Sequence, residues 1–290
     1  MSSRVHVAGL ALLAVVACRP NRPATPAATD AAATSAAPAV APPANVVTYI
    51  ARDFGFEGPA QLPAGLTTFR LDNQGKELHH LVITRLDGGR TYDSLLAALK
   101  KPGPPPEWMH LVSGPNAAEP GAGSNATIDL GPGHYAIMCF IPSADGVPHM
   151  AKGMISPLEV TAAAGPAART IAADITITLK DYEFDLSSPL TPGNHVIQVE
   201  NAGPQPHEVV IARFAPGKTI QDLVAWEKGG EKGPLPISVL GGVAPMMAKE
   251  SAQFSVDLSP GDYALLCFIP DSKDGKAHLM HGMVKPVKVG

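Results

Sequence analysis

The chain repeats itself at a fixed offset, and that constrains its fold more than any bulk property does. Asp53 matches Asp181, Gly65 matches Gly193, Asn73 matches Asn201 and His79 matches His207. Farther along, Thr91 matches Thr219, Asp129-Leu130 matches Asp257-Leu258, and Tyr135 matches Tyr263. The run Cys139-Phe140-Ile141-Pro142 matches Cys267-Phe268-Ile269-Pro270. The differences 181 − 53, 207 − 79 and 267 − 139 all equal 128; only beyond the cysteine, between Met154 and Met283, does the offset become 129. A register held over so long a stretch means tandem duplication, so whatever one unit folds into, the chain contains twice.

Each unit reads as β. TTFRLDN, HLVITRL, ATIDL and HYAIMCF alternate or run apolar over a few residues, with Gly, Pro and Asn between them. HVIQVEN, EVVIARF, QFSVDL and DYALLCF repeat the pattern. One helical piece stands out in each copy, TYDSLLAALKK and TIQDLVAWEK, and both begin with Thr at a plausible N-cap. Charged residues are only 17% of the chain, against 30 Pro and 28 Gly, which favours short strands and turns. The expected fold class is all-β: two tandem antiparallel Greek-key sandwiches, each with one short helical insertion. The Ala- and Gly-rich TAAAGPAART marks the boundary between domains at residues 45–163 and 164–290.

Strand periodicity places Tyr135, Ile137 and Cys139 on one face, as it does Tyr263, Leu265 and Cys267. A histidine and a methionine follow each cysteine, and a second histidine lies far upstream at the start of another strand. A lone buried cysteine is more often a small hydrophobe than a ligand. Here the four residue types recur together while their loops have drifted: Lys152 corresponds to His281 and Ala151 to Met280. A Cys139–Cys267 disulfide is disfavoured, because equivalent positions in two separate cores lie far apart. Two imidazoles, a thiolate and a thioether are a ligand set that suits copper.

At this point the sequence resembles a known family. Asn201-Ala-Gly-Pro-Gln-Pro-His207 is similar to the stretch preceding the first copper ligand in cupredoxins. Gly133-His-Tyr135-Ala-Ile137-Met-Cys139, followed by His149 and Met154, resembles their Gly-x-Tyr-x-x-x-Cys…His…Met ending. The resemblance implies a type 1-like copper site per domain, cycling Cu(II)/Cu(I), with ligands His79, Cys139, His149 and Met154 in the first copy. In the second it implies His207, Cys267, His278 and Met283. One departure is plain: family members place the second histidine a few residues after the cysteine, whereas here 149 − 139 is 10 and 278 − 267 is 11. Of the other histidines, His80 points to the opposite face, and His110, His134 and His195 lack counterparts and are expected at the surface.

The function expected is electron transfer. Two alternatives are copper storage or delivery, which Met150, Met280, His281 and the Met246-Met247 pair favour slightly, and a cupredoxin-fold binding module without metal. Copper oxidases and nitrite reductases need further histidines, commonly in His-x-His pairs, and no such pair occurs, so the chain is not expected to be an enzyme. Nor does anything in it resemble a Ser-His-Asp arrangement or a phosphate-binding glycine loop.

The N-terminus bears on location. Arg4, an apolar run from Val7 to Ala17 and small residues before Cys18 have the layout of an export signal, too short to span a bilayer. Val15-Val16-Ala17-Cys18 resembles a bacterial lipobox, which implies a signal peptide over 1–17 and lipidation of Cys18. Residues 18–44, rich in Ala and Pro, read as a flexible tether. A lipid-anchored protein of the periplasm or cell surface is expected, and Arg19 after the cysteine leans towards an outer membrane. Its expected partner is a redox or copper donor/acceptor protein. The net charge of −4 and pI near 6.2 provide no basic field for nucleic acid.

Overall fold

The computed structural model describes residues 44–101, 103–163, 171–230 and 233–290. The signal segment 1–17, Cys18 and nearly all of the tether lie outside the described residues. So does most of the stretch expected to separate the domains.

The described residues form one compact unit of strands. Its largest sheet has eight strands, four from each copy, arranged as mirror halves. From the first copy come Gly55–Glu57, Asn45–Arg52, Gly65–Asn73 and Gly123–Leu130; from the second, Ser251–Leu258, Gly193–Asn201, Ile175–Lys180 and Glu183–Leu186. The halves meet where Thr127 pairs with Gln253. Beside that pair the Asn125 side chain bonds the Ser255 backbone in both directions, donating to the carbonyl and accepting from the N–H, each at 2.8 Å.

A second layer belongs to each copy separately. In the first it is a five-stranded sheet whose central strand, Gly133–Met138, leads into Cys139; in the second, a four-stranded sheet in which Gly261–Leu266 leads into Cys267. The main core fills the space between layers, with Phe69, Leu71 and Ile128 from one side and Ile83, Tyr135 and Ile137 from the other. Each such side chain contributes about 1.5–3 kcal/mol on burial.

The alternation read from the sequence appears as two kinds of burial. Tyr135, Ile137 and Cys139 belong to the main core, while Ala136 and Met138 lie in a separate cluster with Leu95 of the helix Tyr92–Leu99. Tyr263, Leu265 and Cys267 repeat this opposite Ala264 and Leu266, which cluster with Leu223 of the helix Ile220–Lys228. Both helices start at the expected threonine. Thr91 Oγ1 accepts from the Ser94 N–H, and Thr219 forms a capping box with Asp222. No helix among the described residues is long and apolar enough to cross a membrane.

Two expectations change. The sheets are mixed, because Asn45–Arg52 pairs parallel to Gly65–Asn73, as Ile175–Lys180 does to Gly193–Asn201. Between the first two the chain visits the other layer at Gln61–Pro63, and such a crossover lets it return in the same direction. His195 is buried rather than on the surface, at 9% exposure, because its ring docks on Asp174 and Thr191.

Candidate metal centres

In each copy an asparagine shapes the loop that delivers the upstream histidine. Asn73 Nδ2 donates to the carbonyls of Glu77 and Ala118, and its Oδ1 accepts the Gly75 N–H. Asn201 does the same with the carbonyls of Gln205 and Met246 and the Gly203 N–H. The loop then presses against the imidazole so closely that a Cβ at Gly75 or Gly203 would lie 2.6 Å from the ring Nε2 of His79 or His207. Only glycine fits there.

The cysteine stands at the end of a strand braced by a repeated tyrosine, whose hydroxyl donates to the Gly131 carbonyl from Tyr135 and to the Ser259 carbonyl from Tyr263. The long segment after the cysteine is an excursion. Pro142 bridges Pro148, Ser143 N–H donates to Val147 O, and the chain is back in place when His149 N–H donates to Ile141 O at 2.9 Å. A short 3-10 turn over His149–Lys152 ends on left-handed Gly153, so that Met154 N–H reaches His149 O and Cys139 N–H reaches Met154 O. The second copy closes its loop with Pro270 against Ala277 and His278 N–H on Ile269 O, and its additional residue lies within this outward turn. The unusual Cys-to-His spacing therefore leaves the histidine beside the cysteine.

Two clusters result. His79 Nδ1 and His149 Nδ1 lie 3.0 Å apart, with Cys139 Sγ 3.5 Å from His149 Nδ1. His207 Nδ1 and His278 Nδ1 lie 3.1 Å apart, with Cys267 Sγ 3.5 Å from His278 Nδ1. Within each cluster the donor atoms all fall within 4.8 Å of one another, and all six residues are fully buried. Met154 and Met283 are fully buried too, tied to the same histidines through their backbones.

The outward-facing ring nitrogens meet carboxylates. His79 Nε2 lies 3.2 Å from Asp53 Oδ1, His207 Nε2 lies 3.0 Å from Asp181 Oδ1, and His149 Nε2 lies 2.9 Å from Glu77 Oε2. Such contacts turn Nδ1 inward and raise its donor strength. An aromatic ring stands edge-on to the second histidine in both copies, with Phe54 5.3 Å from His149 and Tyr182 5.5 Å from His278 between centroids. Both aromatics hold left-handed backbone, at φ 67° and 64°, which is costly for a bulky residue and here occurs at matching positions.

Burial sets the protonation. It pushes the Cys139 thiol up to about 12, and it raises the Cys267 thiol as well, with the nearby Glu208 adding to the rise. Burial likewise lowers His79 and His207, opposed in each by its aspartate. His278 falls to about 4, through burial first and then the neighbouring His207. Burial thus favours the neutral form of His79, His207 and His278 beside thiols that a metal ion must deprotonate in order to bind.

The structure brings together His79, Cys139 and His149, and His207, Cys267 and His278; Cys18 lies outside the described residues. Several contributors escaped the sequence reading. Asp53 and Asp181 were visible as matched residues but carried no assigned role. His80 faces away from its cluster, as expected, yet it is not incidental: it is buried, and its Nε2 accepts the Phe140 N–H at 2.8 Å, while Glu208 Oε1 accepts the Phe268 N–H at 3.0 Å. Each fixes the backbone just after the cysteine. His281 lies near Asp271 and Asp274, a third group of suitable spacing, with Asp274 already engaged by Lys276.

No family model matches the chain, and no curated protein matches it. Solved structures do. A reduced auracyanin from Roseiflexus castenholzii is 20% identical, covering 41% of this chain and 98% of its own, with a TM-score of 0.27. A Cu-containing nitrite reductase from Thermus scotoductus SA-01 is 11% identical over 86% of this chain and 62% of its own, with a TM-score of 0.24. A blue copper oxidase from Nitrosomonas europaea is 14% identical over 84% of this chain and 86% of its own, with a TM-score of 0.25. At these identities and TM-scores the matches carry no residue role over to this chain. They also correct one expectation. The missing His-x-His pair argued against an enzyme, yet structures matching most of the chain include a nitrite reductase and an oxidase, so that exclusion is withdrawn.

Proposed function

We propose that the chain is a copper-binding electron-transfer protein with one type 1-like centre in each copy. His79, Cys139 and His149 would hold copper in the first, His207, Cys267 and His278 in the second, with Met154 and Met283 as the weak axial partners. The observation that carries this reading is the pair of buried His-Cys-His clusters whose Nδ1 atoms converge on the thiol. The donor set fits copper: a soft thiolate and two imidazoles suit both of its oxidation states, and a thioether adds to the preference. Copper supplies a one-electron couple. The chain's part is to hold the ligands in one arrangement for both states, through the Asn-shaped loop, the carboxylates on Nε2 and the tyrosine-braced strand. Full burial of both clusters favours this over storage or delivery, since a carrier that hands on metal needs ligands a partner can reach.

The reading extends to location. Lipidation at Cys18 and a tether over 18–44 would place the folded unit outside the cytoplasm on a membrane, the outer membrane being favoured by Arg19, where it would exchange electrons with a periplasmic partner protein. The mass of the mature N-terminus tests this directly: an acylated Cys18 is expected, and an unmodified one would remove the anchor.

The decisive experiment titrates the purified chain with Cu(II) while recording the visible spectrum. Two equivalents should bind with an intense blue sulfur-to-copper charge-transfer band, Cys139→Ser and Cys267→Ser each removing one equivalent. Copper bound without that band would refute the type 1 assignment.

A further inference from the structure

The two centres are alike around the first histidine and unlike around the second. The offset of 128 carries Phe54 onto Tyr182, Glu77 onto Gln205 and Ser143 onto Asp271. In the first copy the carboxylate stands at position 77. Glu77 Oε2 lies 2.9 Å from His149 Nε2, its side chain is 38% exposed, and Ser143 Oγ is buried with no hydrogen-bond partner among the described residues. In the second copy position 77 has become an amide, and the carboxylate has moved to position 271.

That carboxylate is held quite differently. Asp271 Oδ2 accepts from the Tyr182 hydroxyl at 2.6 Å and from Gln205 Nε2 at 3.1 Å, while its Oδ1 accepts the Lys273 N–H at 2.8 Å. Its side chain is 1% exposed, and it lies 3.7 Å from His278 Nε2, which is buried and has no hydrogen-bond partner among the described residues. Three positions differ together. The phenol and the amide occur only in the copy where the carboxylate is occupied by them instead of by the imidazole.

Resting on the copper reading above, we propose that Glu77 on one side and the Tyr182–Gln205–Asp271 set on the other are positioning groups that make the centres two different redox couples, with the first copy at the lower potential. A carboxylate accepting from Nε2–H pushes electron density into the ring and makes Nδ1 a stronger donor, which favours the divalent ion over the monovalent one. His149 has that support and His278 lacks it. Each couple exchanges one electron, Cu(II) plus an electron giving Cu(I), so the chain takes up two electrons in two separate steps rather than one doubled step.

The test uses full-length chains with a single working centre, Cys267→Ser to keep the first and Cys139→Ser to keep the second, and measures the midpoint potential by mediated titration together with Cu(II) and Cu(I) affinities. The Cys267→Ser chain should have the lower midpoint. Adding Glu77→Gln to it should raise the midpoint and weaken Cu(II) binding by about tenfold or more with little change for Cu(I). The triple change Phe54→Tyr, Glu77→Gln, Ser143→Asp transplants the second arrangement and should bring the midpoint to that of the Cys139→Ser chain. Equal midpoints in the two single-centre chains would overturn the proposal. So would a Glu77→Gln loss of equal size for both oxidation states, which is the mark of a merely structural residue. A chain that takes up no copper in either background would instead remove the copper reading itself.

Discussion

At the scale of single residues, the positions beside the first histidine show how a site is held from behind. His80 and Glu208 differ in charge and size yet perform one task, accepting the N–H that follows the cysteine. Burial drives the His80 imidazole down to about 3, with His149 and His79 adding to the drop, so it stays neutral and free to accept. Burial raises Glu208 to about 7, while the Phe268 N–H and Asn116 oppose the rise. Removing such an acceptor leaves a partly buried N–H unpaired, at a cost of about 1–3 kcal/mol. We therefore expect His80→Ala to lower the thermal midpoint of the metal-free chain, and His80→Gln, which keeps an acceptor within reach, to recover much of the loss. Calorimetry of the two variants checks this, and equal midpoints for both would show that the lost N–H partner is not what matters. The sequence disclosed the matched position but not its task, because a backbone N–H leaves no trace in a sequence pattern.

At the scale of elements, the strands, the helix caps and the inward face of the cysteine strand were legible, since each follows from local periodicity or a capping residue. The segment after the cysteine was not. Its ten- and eleven-residue spacings departed from the resembling family, so the resemblance named the histidine without fixing how the loop returns it to the cysteine. The structure resolves this with an isolated β-bridge at the base of the loop, Pro142 to Pro148 and Pro270 to Ala277, so that the residues between turn away from the ligand cluster, Asp271 of the second copy excepted. Replacing residues 143–147 by a two-residue Asn-Gly turn, a good hairpin closure, should therefore leave copper stoichiometry and the first centre's blue band intact. The matching excision in the second copy removes Asp271 and should alter that centre's spectrum. Loss of the first centre on shortening would mean that the loop shapes the site rather than bypassing it. The carboxylate exchange between positions 77 and 271 was hidden for a related reason: it joins residues far apart in sequence that only the folded loop makes neighbours.

At the scale of the molecule, duplication was read correctly as a repeat, but a repeat does not reveal how its copies join. The join breaks the symmetry. Gly114 and Gly242 are equivalent positions where a Cβ would lie 1.8 Å and 2.0 Å from a carbonyl oxygen, of Leu81 and Val209 respectively, so both copies make the same close approach. Beside the first, however, stands Asn116, whose counterpart at the offset of 128 is Ala244. The Asn116 amide is buried and reaches into the second copy, donating to Glu208 Oε2 at 3.0 Å, to Val209 O at 3.1 Å and to Val243 O at 2.9 Å. Glu208 in turn holds the backbone after Cys267. A single asparagine of the first copy thus supports the cysteine loop of the second, and the shared eight-stranded sheet joins the copies at the Thr127–Gln253 pair. Two consequences follow from that coupling. The metal-free chain should unfold in one calorimetric transition, because neither half can lose its strands without exposing the other's edge. Asn116→Ala should lower that single transition by about 1–3 kcal/mol for the stranded acceptors. It should also perturb copper binding at the second centre, which it does not touch, while sparing the first. Two resolved transitions, or an effect confined to the first centre, would show that the copies fold as neighbours and not as one body.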